Sequence, residues 1–265
     1  MGSATREALA RSVSALAAQG TKADLATAED LFAASRVLAG SAQLRSVVSN
    51  PSADPKGKAE LVRRVFGPQL SITAVEVLMA VASERWSKPK DMLGAIEELG
   101  IRAIAQSAPE DVDIASELFA FGSAVTSNAD FELALRSKLA DPDAKGALVD
   151  RLLVGRASKQ TAAIVRQLVV QPRGRSIREA LREAARIVAD QSNLAIATVY
   201  TARALPAEQQ ERLSGVLSTK YGKQLKINQI VDPSLLGGVR VQIGDDVIDG
   251  SIASRIHELR LQLAG

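Results

Sequence analysis

The chain has 265 residues, of which 46% are hydrophobic, 3% are aromatic and none is cysteine. The lack of cysteine excludes disulfides, thiolate catalysis and sulfur-ligated metal, and a single histidine excludes a metal site built from several histidines of one chain. The formal net charge of +3 is too small to indicate a polyanionic partner by itself.

The length predicts two or three compact domains with cores of their own. No apolar run approaches the ~20 residues that span a bilayer. The first residues, MGSATREALARSVSALAAQG, mix charged and small side chains and do not form the core of a signal peptide. We therefore expect a soluble, intracellular protein.

The N-terminal part of the chain predicts amphipathic helices. The first, over about 4–19, places three apolar side chains at helical spacing, namely Leu9, Val13 and Leu16. The second begins near Thr21, which forms a pattern like a capping box with Asp24. It is expected to bury Leu31, Val37 and Leu38.

Two further helix starts are predicted at Asn50-Pro51 and Asp141-Pro142, because each pair places a capping residue before a proline.

The helix over 71–87 is apolar nearly all round. Such a helix is either central to its domain or presents a second face to a partner.

The chain repeats itself. DLFAASRVLAGSAQLRSVVSNP (30–51) is similar to ELFAFGSAVTSNADFELALRSKLADP (117–142), and KAELVRRVFG (58–67) is similar to KGALVDRLLV (145–154). TAVEVLMAVASER (73–85) then aligns with TAAIVRQLVVQPR (161–173), with an offset near 88 residues throughout. A period this long indicates a duplicated helical domain and not a solenoid. We predict a first copy over 1–108 and a second copy over 109–193, in which the segment 91–106 replaces a missing first helix.

The pattern changes at Leu194. LAIATVYTA predicts a strand, PAEQQERLSGVLSTKYG a crossover helix, and KQLKINQIV a second strand parallel to the first. GVRVQIG and VID form a hairpin around Gly244-Asp245-Asp246. A last helix carries the apolar stripe Ile252, Ile256, Leu259 and Leu263. The predicted fold is therefore mainly α, with two tandem helical bundles followed by a small β-α-β-β-α domain over 194–265.

Three features of this C-terminal domain could suggest chemistry. The aspartates Asp245, Asp246 and Asp249 lack the ligand spacing of a calcium loop and are expected to be turn residues. The pair Gly237-Gly238 lacks the spacing of a phosphate loop, and it more often marks a close approach or a turn with positive φ. His257 lies on the last helix and is expected to be a surface side chain, so that its removal should leave function intact.

One helical face is strongly basic. Arg178, Arg182 and Arg186 follow each other at intervals of four residues, and residues 151–186 as a whole hold nine basic and two acidic side chains. This face could meet an acidic partner, and nucleic acid is one alternative. However, aromatic residues for base stacking are scarce, and residues 194–265 are close to neutral, with eight basic and seven acidic side chains. A small-molecule enzyme is the other alternative, but no catalytic, cofactor or metal constellation is predicted.

The C-terminal stretch carries a family resemblance. VDPSLLGGVRVQIGDDVIDGSIASRIHELRLQL (231–263) resembles the C-terminal signature of the delta subunit of the rotary ATP synthase, which is related to the mitochondrial oligomycin-sensitivity-conferring protein. LPAEQQERLSGVLSTKYGKQLKINQIV (205–231) is similar to the helix and strand that precede that signature, and LRSVVSNPSADPKGKAELVRRVFG (44–67) to the family's N-terminal helical domain. The second helical copy departs from the usual pattern and resembles longer delta subunits of some high-GC bacteria.

The resemblance implies a non-catalytic stator subunit of the proton-driven ATP synthase. Its N-terminal helical domain would bind the alpha subunits of the catalytic head through the first and fifth helices, at Leu9, Val13, Leu16, Val75, Val77 and Met79. Its C-terminal part would hold b-type stalk subunits, with candidate contacts at Arg178, Arg182, Arg186, Ile252 and Leu259. Gly237, Gly238, Asp249 and Gly250 would be structural turn residues. The resemblance also implies a peripheral position on the cytoplasmic face of the cell membrane, reached only through the complex, with no cofactor and no nucleic acid.

Overall fold

The computed structural model describes residues 2–137, 140–191, 194–222, 224–235, 237–243 and 246–251. In the described residues the chain forms twelve α-helices and one four-stranded sheet. The helices of the N-terminal part are α1 (Ser3–Ala17), α2 (Leu25–Gly40), α3 (Ala42–Val48), α4 (Pro55–Phe66), α5 (Ile72–Ser83), α6 (Pro89–Ser107), α7 (Ile114–Thr126), α8 (Ala129–Arg136), α9 (Pro142–Leu153), α10 (Lys159–Val170) and α11 (Ile177–Gln191). The C-terminal part contains β1 (Leu194–Thr201), α12 (Ala207–Tyr221), β2 (Gln224–Val231), β3 (Gly238–Ile243) and β4 (Asp246–Ser251).

The chain divides into two compact units, Met1–Val188 and Ala189–Gly265. The boundary falls inside α11, close to the predicted start of the C-terminal domain. Both predicted helical copies lie in the first unit, where α10 contacts α2 and α6. The boundary between a first and a second copy therefore stays a prediction.

Of the three helix starts predicted from capping residues in the described part of the chain, one is confirmed and two are wrong. Asp141 caps α9 by accepting the Ala144 N–H, as predicted. In contrast, Asn50 accepts the Ser52 N–H in a local turn and does not cap a helix. The next helix, α4, begins at the following Asp-Pro pair, with Asp54 as its N-cap. The capping box predicted from Thr21 is also wrong, because Asp24 is itself the N-cap of α2.

Three pairs of caps in the two helical halves correspond at a spacing of 87 positions. Ser41 and Asn128 cap α3 and α8, Asp54 and Asp141 cap α4 and α9, and Ser71 and Ser158 cap α5 and α10. The caps of α2 and α7, Asp24 and Asp113, lie 89 positions apart. The buried positions of α5 and α10 agree at the spacing of 87, for example Val77 with Ile164 and Val81 with Leu168. This spacing replaces the predicted offset near 88.

A tertiary contact repeats at this spacing as well. Asp30 of α2 accepts the Ser71 N–H at the start of α5, at 2.8 Å. Glu117 of α7 accepts the Ser158 N–H at the start of α10, at 3.1 Å from each carboxylate oxygen. The carboxylates lie 87 positions apart, like the serines they bind. Because nothing in helix propensity requires a distant carboxylate at a helix start, the repeated contact supports an internal duplication.

The core of the first unit consists mainly of aliphatic side chains, as the scarcity of aromatic residues predicts. Four aromatic side chains are buried among them, namely Phe32, Phe66, Trp86 and Phe121. The helix α6 is its most buried element, with Leu99, Ile101 and Ile104 at 1% exposure or less. Its closest neighbour is α2, and it also contacts α1, α5 and α10. The prediction that Val37 is buried is wrong, because this side chain of α2 is 50% exposed.

The C-terminal unit shows the first four elements of the predicted β-α-β-β-α order, and the predicted last helix lies outside the described residues. β1 and β2 pair in parallel around the crossover helix α12, whose C-cap Gly222 has a φ of 66°. β3 pairs antiparallel with β1 and with β4, which gives the strand order β2-β1-β3-β4. The core between α12 and the sheet is formed by Ala197, Val199, Leu217, Leu225 and Val241.

Candidate interaction surfaces

The predicted head-binding side chains lie on α1 and α5, which contact each other. Leu16, Val75 and Val77 are 1%, 6% and 0% exposed, so these three belong to the core of the first unit. The other three, Leu9, Val13 and Met79, are half-buried. Only this second group has accessible surface to offer a partner.

The exposed faces of α5 and of its counterpart α10 differ in chemistry. Ile72, the first residue of α5, is 79% exposed, and the residue 87 positions later is the exposed Lys159. Met79 corresponds in the same way to Arg166, which forms an ion pair with Asp150. The accessible face of α5 therefore offers two apolar side chains beside the exposed Glu76, whereas the same two positions of α10 are charged.

The three predicted arginines lie on the exposed side of α11. Arg178 is 3.4 Å from the Glu132 carboxylate in an exposed ion pair. Glu179, next to it, accepts the N–H and the hydroxyl of Ser176, and the backbone N–H holds the pKa of this carboxyl below its ordinary value. The surface formed by Arg178, Arg182 and Arg186 is thus mainly basic, with acidic groups at one end.

A buried cluster of ion pairs joins the two helical halves. Oε1 of Glu97, on α6, lies 3.0 Å from Nη2 of Arg173 and 2.7 Å from Nη2 of Arg175. Arg175 also pairs with Glu183 of α11, at 2.5 Å. Burial opposes the positive charge of Arg175, but the attraction of Glu97 and Glu183 outweighs it and raises the arginine's pKa above the ordinary value.

The sequence analysis did not identify this cluster. A signal was available, because Glu97 lies between Ile96 and Leu99 in a helix whose neighbouring residues are nearly all apolar. A carboxylate in such a place is costly to bury without a cationic partner. Sequence spacing alone does not say which of the chain's many arginines supplies the partner.

A cavity of about 490 Å³ lies beside the cluster in the first unit. Its apolar lining includes Leu9, Trp86 and Leu93, and its charged lining includes Arg45, Lys90 and Asp91. Two of its carboxylates already have partners, since Asp91 accepts the Thr5 hydroxyl and Glu98 pairs with Arg102. The lining combines opposite charges and does not select one class of ligand.

The glycine pair before β3 has the backbone conformation that the sequence predicts. Gly237 and Gly238 have φ values of 139° and 82°, which side chains with a Cβ rarely adopt. The other two predicted turn residues, Asp249 and Gly250, lie within β4 opposite Arg240 and Val239, so their assignment to a turn is wrong. The reason is that the β3–β4 ladder extends from Asp246 to Ser251 and includes both residues.

Four candidate residues lie outside the described part of the chain, namely Asp245, Ile252, His257 and Leu259. Within the described part, no group of three or more metal-ligating side chains is present. In the same part, no helix has both the length and the apolar character needed to cross a membrane.

Comparisons with known proteins find one family. Residues 101–263 match the family model described as ATP synthase delta (OSCP) subunit. The chain is 70% identical over 265 residues to the ATP synthase subunit delta of Leifsonia xyli subsp. xyli, covering 100% of both chains. It is 40% identical over 240 residues to that of Streptomyces avermitilis, covering 89% of this chain and 88% of the relative. A chain in the cryo-EM structure of the Toxoplasma gondii mitochondrial ATP synthase hexamer aligns with a TM-score of 0.39 and 20% identity, over 62% of this chain and 95% of that one.

Proposed function

Because the chain belongs to the ATP synthase delta (OSCP) subunit family, we propose that it is a non-catalytic stator subunit of a proton-driven ATP synthase. It links the alpha subunits of the catalytic head to the b-type stalk subunits and resists the torque of the rotor. The observation that carries this function is the match to a delta subunit over the full length of both chains, which includes the second helical copy. The family assignment favours this function over the nucleic-acid-binding alternative.

The stiffness that a stator link needs is supported by features of the structure. A stator link needs broad helix-in-groove contacts and stiff domains. The aliphatic helical core and the contacts of α10 with α2 and α6 support such stiffness. The protein would act at the cytoplasmic face of the cell membrane and would be held there by the complex.

We assign head binding to the first copy. The observation that supports this choice is the difference between α5 and α10, since Ile72 and Met79 offer apolar surface where Lys159 and Arg166 offer charge. An amphipathic helix of an alpha subunit needs an apolar groove. The second copy then serves as a spacer, and its basic α11 surface meets acidic residues of the stalk.

The test uses the full chain, untagged, because both copies belong to one compact unit. Membranes are stripped with a low-salt EDTA wash, and each purified variant is added back before proton-driven ATP synthesis is measured. Wild type should rebind and restore synthesis. Met79→Glu should lose rebinding by placing a charge in the apolar groove, whereas Arg166→Glu, at the corresponding exposed position of the second copy, should rebind normally.

If only the variant of the second copy loses rebinding, head binding belongs to the second copy. If both variants rebind normally, α1 and α5 do not form the head-binding groove. Thermal melting of Met79→Glu is measured in parallel to verify that it folds. A charge reversal of Arg182 and Arg186 to Glu tests the stalk contact, and it should weaken binding to a soluble b-type stalk fragment. Wild-type chain that does not rebind stripped membranes contradicts the stator function itself.

A further inference from the structure

Glu97 is the most deeply buried acidic side chain that bridges the two helical copies. Its side chain is 3% exposed, and its two cationic partners, Arg173 and Arg175, are 20% and 18% exposed. The glutamate lies on α6, which the sequence assigns as a substitute first helix of the second copy but which packs mainly on α1 and α2 of the first, and both arginines lie between α10 and α11 in the second. The ion pairs therefore cross the junction between the copies and do not stabilise one helix alone.

The backbone on both sides is shaped to bring these groups together. Arg173 has a φ of 52°, and in the part of the chain that the structure describes it is the only non-glycine residue with a positive φ. On α6, Gly94 faces its guanidinium so closely that an added Cβ would lie 2.5 Å from Nη1. An arginine in the left-handed region is strained, so the surrounding contacts must favour this arrangement over a relaxed one.

The rest of the junction is also polar. Gln167 of α10 is 1% exposed and accepts a hydrogen bond from Arg36 of α2 at 2.7 Å. Gln171 accepts a hydrogen bond from the Ser35 hydroxyl at 3.2 Å and receives one from Gln167 at 2.7 Å. Directional bonds between neighbouring side chains thus connect α2 to the end of α10.

Such a junction is better suited to fixing an orientation than to adding stability. Oε2 of Glu97 and Nε of Arg173 are buried and lack a hydrogen-bond partner, so the cluster carries a desolvation penalty that it does not fully recover. Apolar side chains of similar volume often hold an interface at least as strongly as buried ion pairs. Apolar packing, however, tolerates small rotations, whereas an ion pair with a fixed partner does not.

We propose that Glu97 is a positioning residue that fixes the orientation of the second helical copy relative to the first. The two copies then behave as one rigid body and do not change orientation relative to each other. Its value for transmitting torque rests on the proposed stator function, but the positioning itself depends only on contacts within this chain. The two ideas can therefore fail separately.

The experiment measures distances between the copies in the full chain. Because the chain has no cysteine, two spin labels can be attached at introduced cysteines without any background. The pair Glu29→Cys and Ala147→Cys places labels at exposed positions on α2 and α9. The pair Glu29→Cys and Lys56→Cys, both within the first copy, is the matched control.

The chain with Glu97 intact should give one narrow distance distribution for the pair that spans the copies. Combined Glu97→Met, Arg173→Leu and Arg175→Leu should keep the melting temperature close to that of wild type but broaden this distribution or add a second peak. The control pair should not change. The conservative variant Glu97→Asp, which keeps the charge, should retain the single peak.

An unchanged narrow distribution in the triple variant overturns the proposal, because apolar packing would then be sufficient. A broad distribution with Glu97 intact overturns it as well. If the triple variant does not fold, the single variant Glu97→Gln provides the same test, since it keeps the volume and removes only the charge. A loss of the single peak in Glu97→Gln supports positioning, and an unchanged peak contradicts it.

Discussion

Gly100 permits the closest approach between α6 and α2, and adding one methyl group there should destabilise the first unit. A Cβ at this position would lie 2.3 Å from Cε1 and 2.8 Å from Cδ1 of Phe32. Phe32 is 2% exposed, so its ring is enclosed by the core of the unit. Gly100→Ala therefore forces the two helices apart or drives the ring off its rotamer.

The magnitude follows from two opposing contributions. Alanine in place of glycine inside a helix stabilises by about 1 kcal/mol, whereas overpacking a dense core costs roughly 1–3 kcal/mol. At a separation this short the upper part of that range applies, so we expect a net loss of about 1–2 kcal/mol. Since such a loss lowers the melting temperature by roughly 2–4 °C per kcal/mol in a unit of this size, the transition should fall by several degrees.

The matched control is Gly122, in the middle of α7. A Cβ at Gly122 would lie 3.6 Å from Cδ1 of Leu181, which is an ordinary van der Waals distance. Gly122→Ala should therefore stabilise the same unit by about 0.5–1 kcal/mol through the helix propensity of alanine. The two variants make the same chemical change and should move stability in opposite directions.

Urea unfolding followed by far-UV circular dichroism measures both variants, with the slope of the transition compared to verify that the unfolding reaction is unchanged. The transition of the Met1–Val188 unit is the one to analyse. A Gly100→Ala protein that is as stable as Gly122→Ala would refute the close approach of α6 and α2. It would also weaken the description of α6 as the tightly packed centre of the unit.

Three further predictions concern caps and turns. Glu117→Gln should lower the unfolding free energy of the first unit by about 1–3 kcal/mol, because the carboxylate accepts charge-assisted hydrogen bonds from the Ser158 N–H and hydroxyl. Asp30→Asn, which alters a single hydrogen bond to Ser71, should lower it less in the same urea titration. Gly238→Val should cost about 1 kcal/mol or more at a φ of 82°, and a melting temperature equal to that of wild type for the C-terminal unit contradicts this. The Asp24 carboxyl has a lowered pKa because it accepts the Thr27 N–H. Its stabilising effect is therefore fully present above the unfolded pKa, which is near 3.9, and is lost as the pH falls through the lower folded pKa. Asp24→Asn should reduce the loss of stability on acidification, and identical acid titrations of the two proteins would rule the effect out.

Much of the local structure could be predicted because its causes are local. The parallel β1–α12–β2 crossover and the β3–β4 hairpin follow from period-two alternation and from glycine positions. Caps were predictable only where one candidate was present. At Asn50-Pro51 and Asp54-Pro55 the sequence offers two starts four residues apart, and the turn at Asn50 decides for the second.

The candidate surface was predicted less well than the fold. Apolar periodicity identifies the side of a helix that is buried, but it does not say whether another helix of the same chain or a partner buries it. Leu16, Val75 and Val77 illustrate this limit, since they have the pattern of a binding face and lie in the core. Met79 has the same pattern and keeps accessible surface.

The helical character of the first 193 residues and the C-terminal sheet could be predicted from the amino-acid sequence, since both depend on patterns within one segment. That residues 1–188 form one compact unit, and that Glu97 of α6 pairs in it with Arg173 and Arg175, is visible only in the three-dimensional packing. The physical reason is that a buried carboxylate requires a cation, and the chain can supply it from any point that the fold brings near. Seventy-six positions separate Glu97 from Arg173, and no periodicity in the sequence connects them.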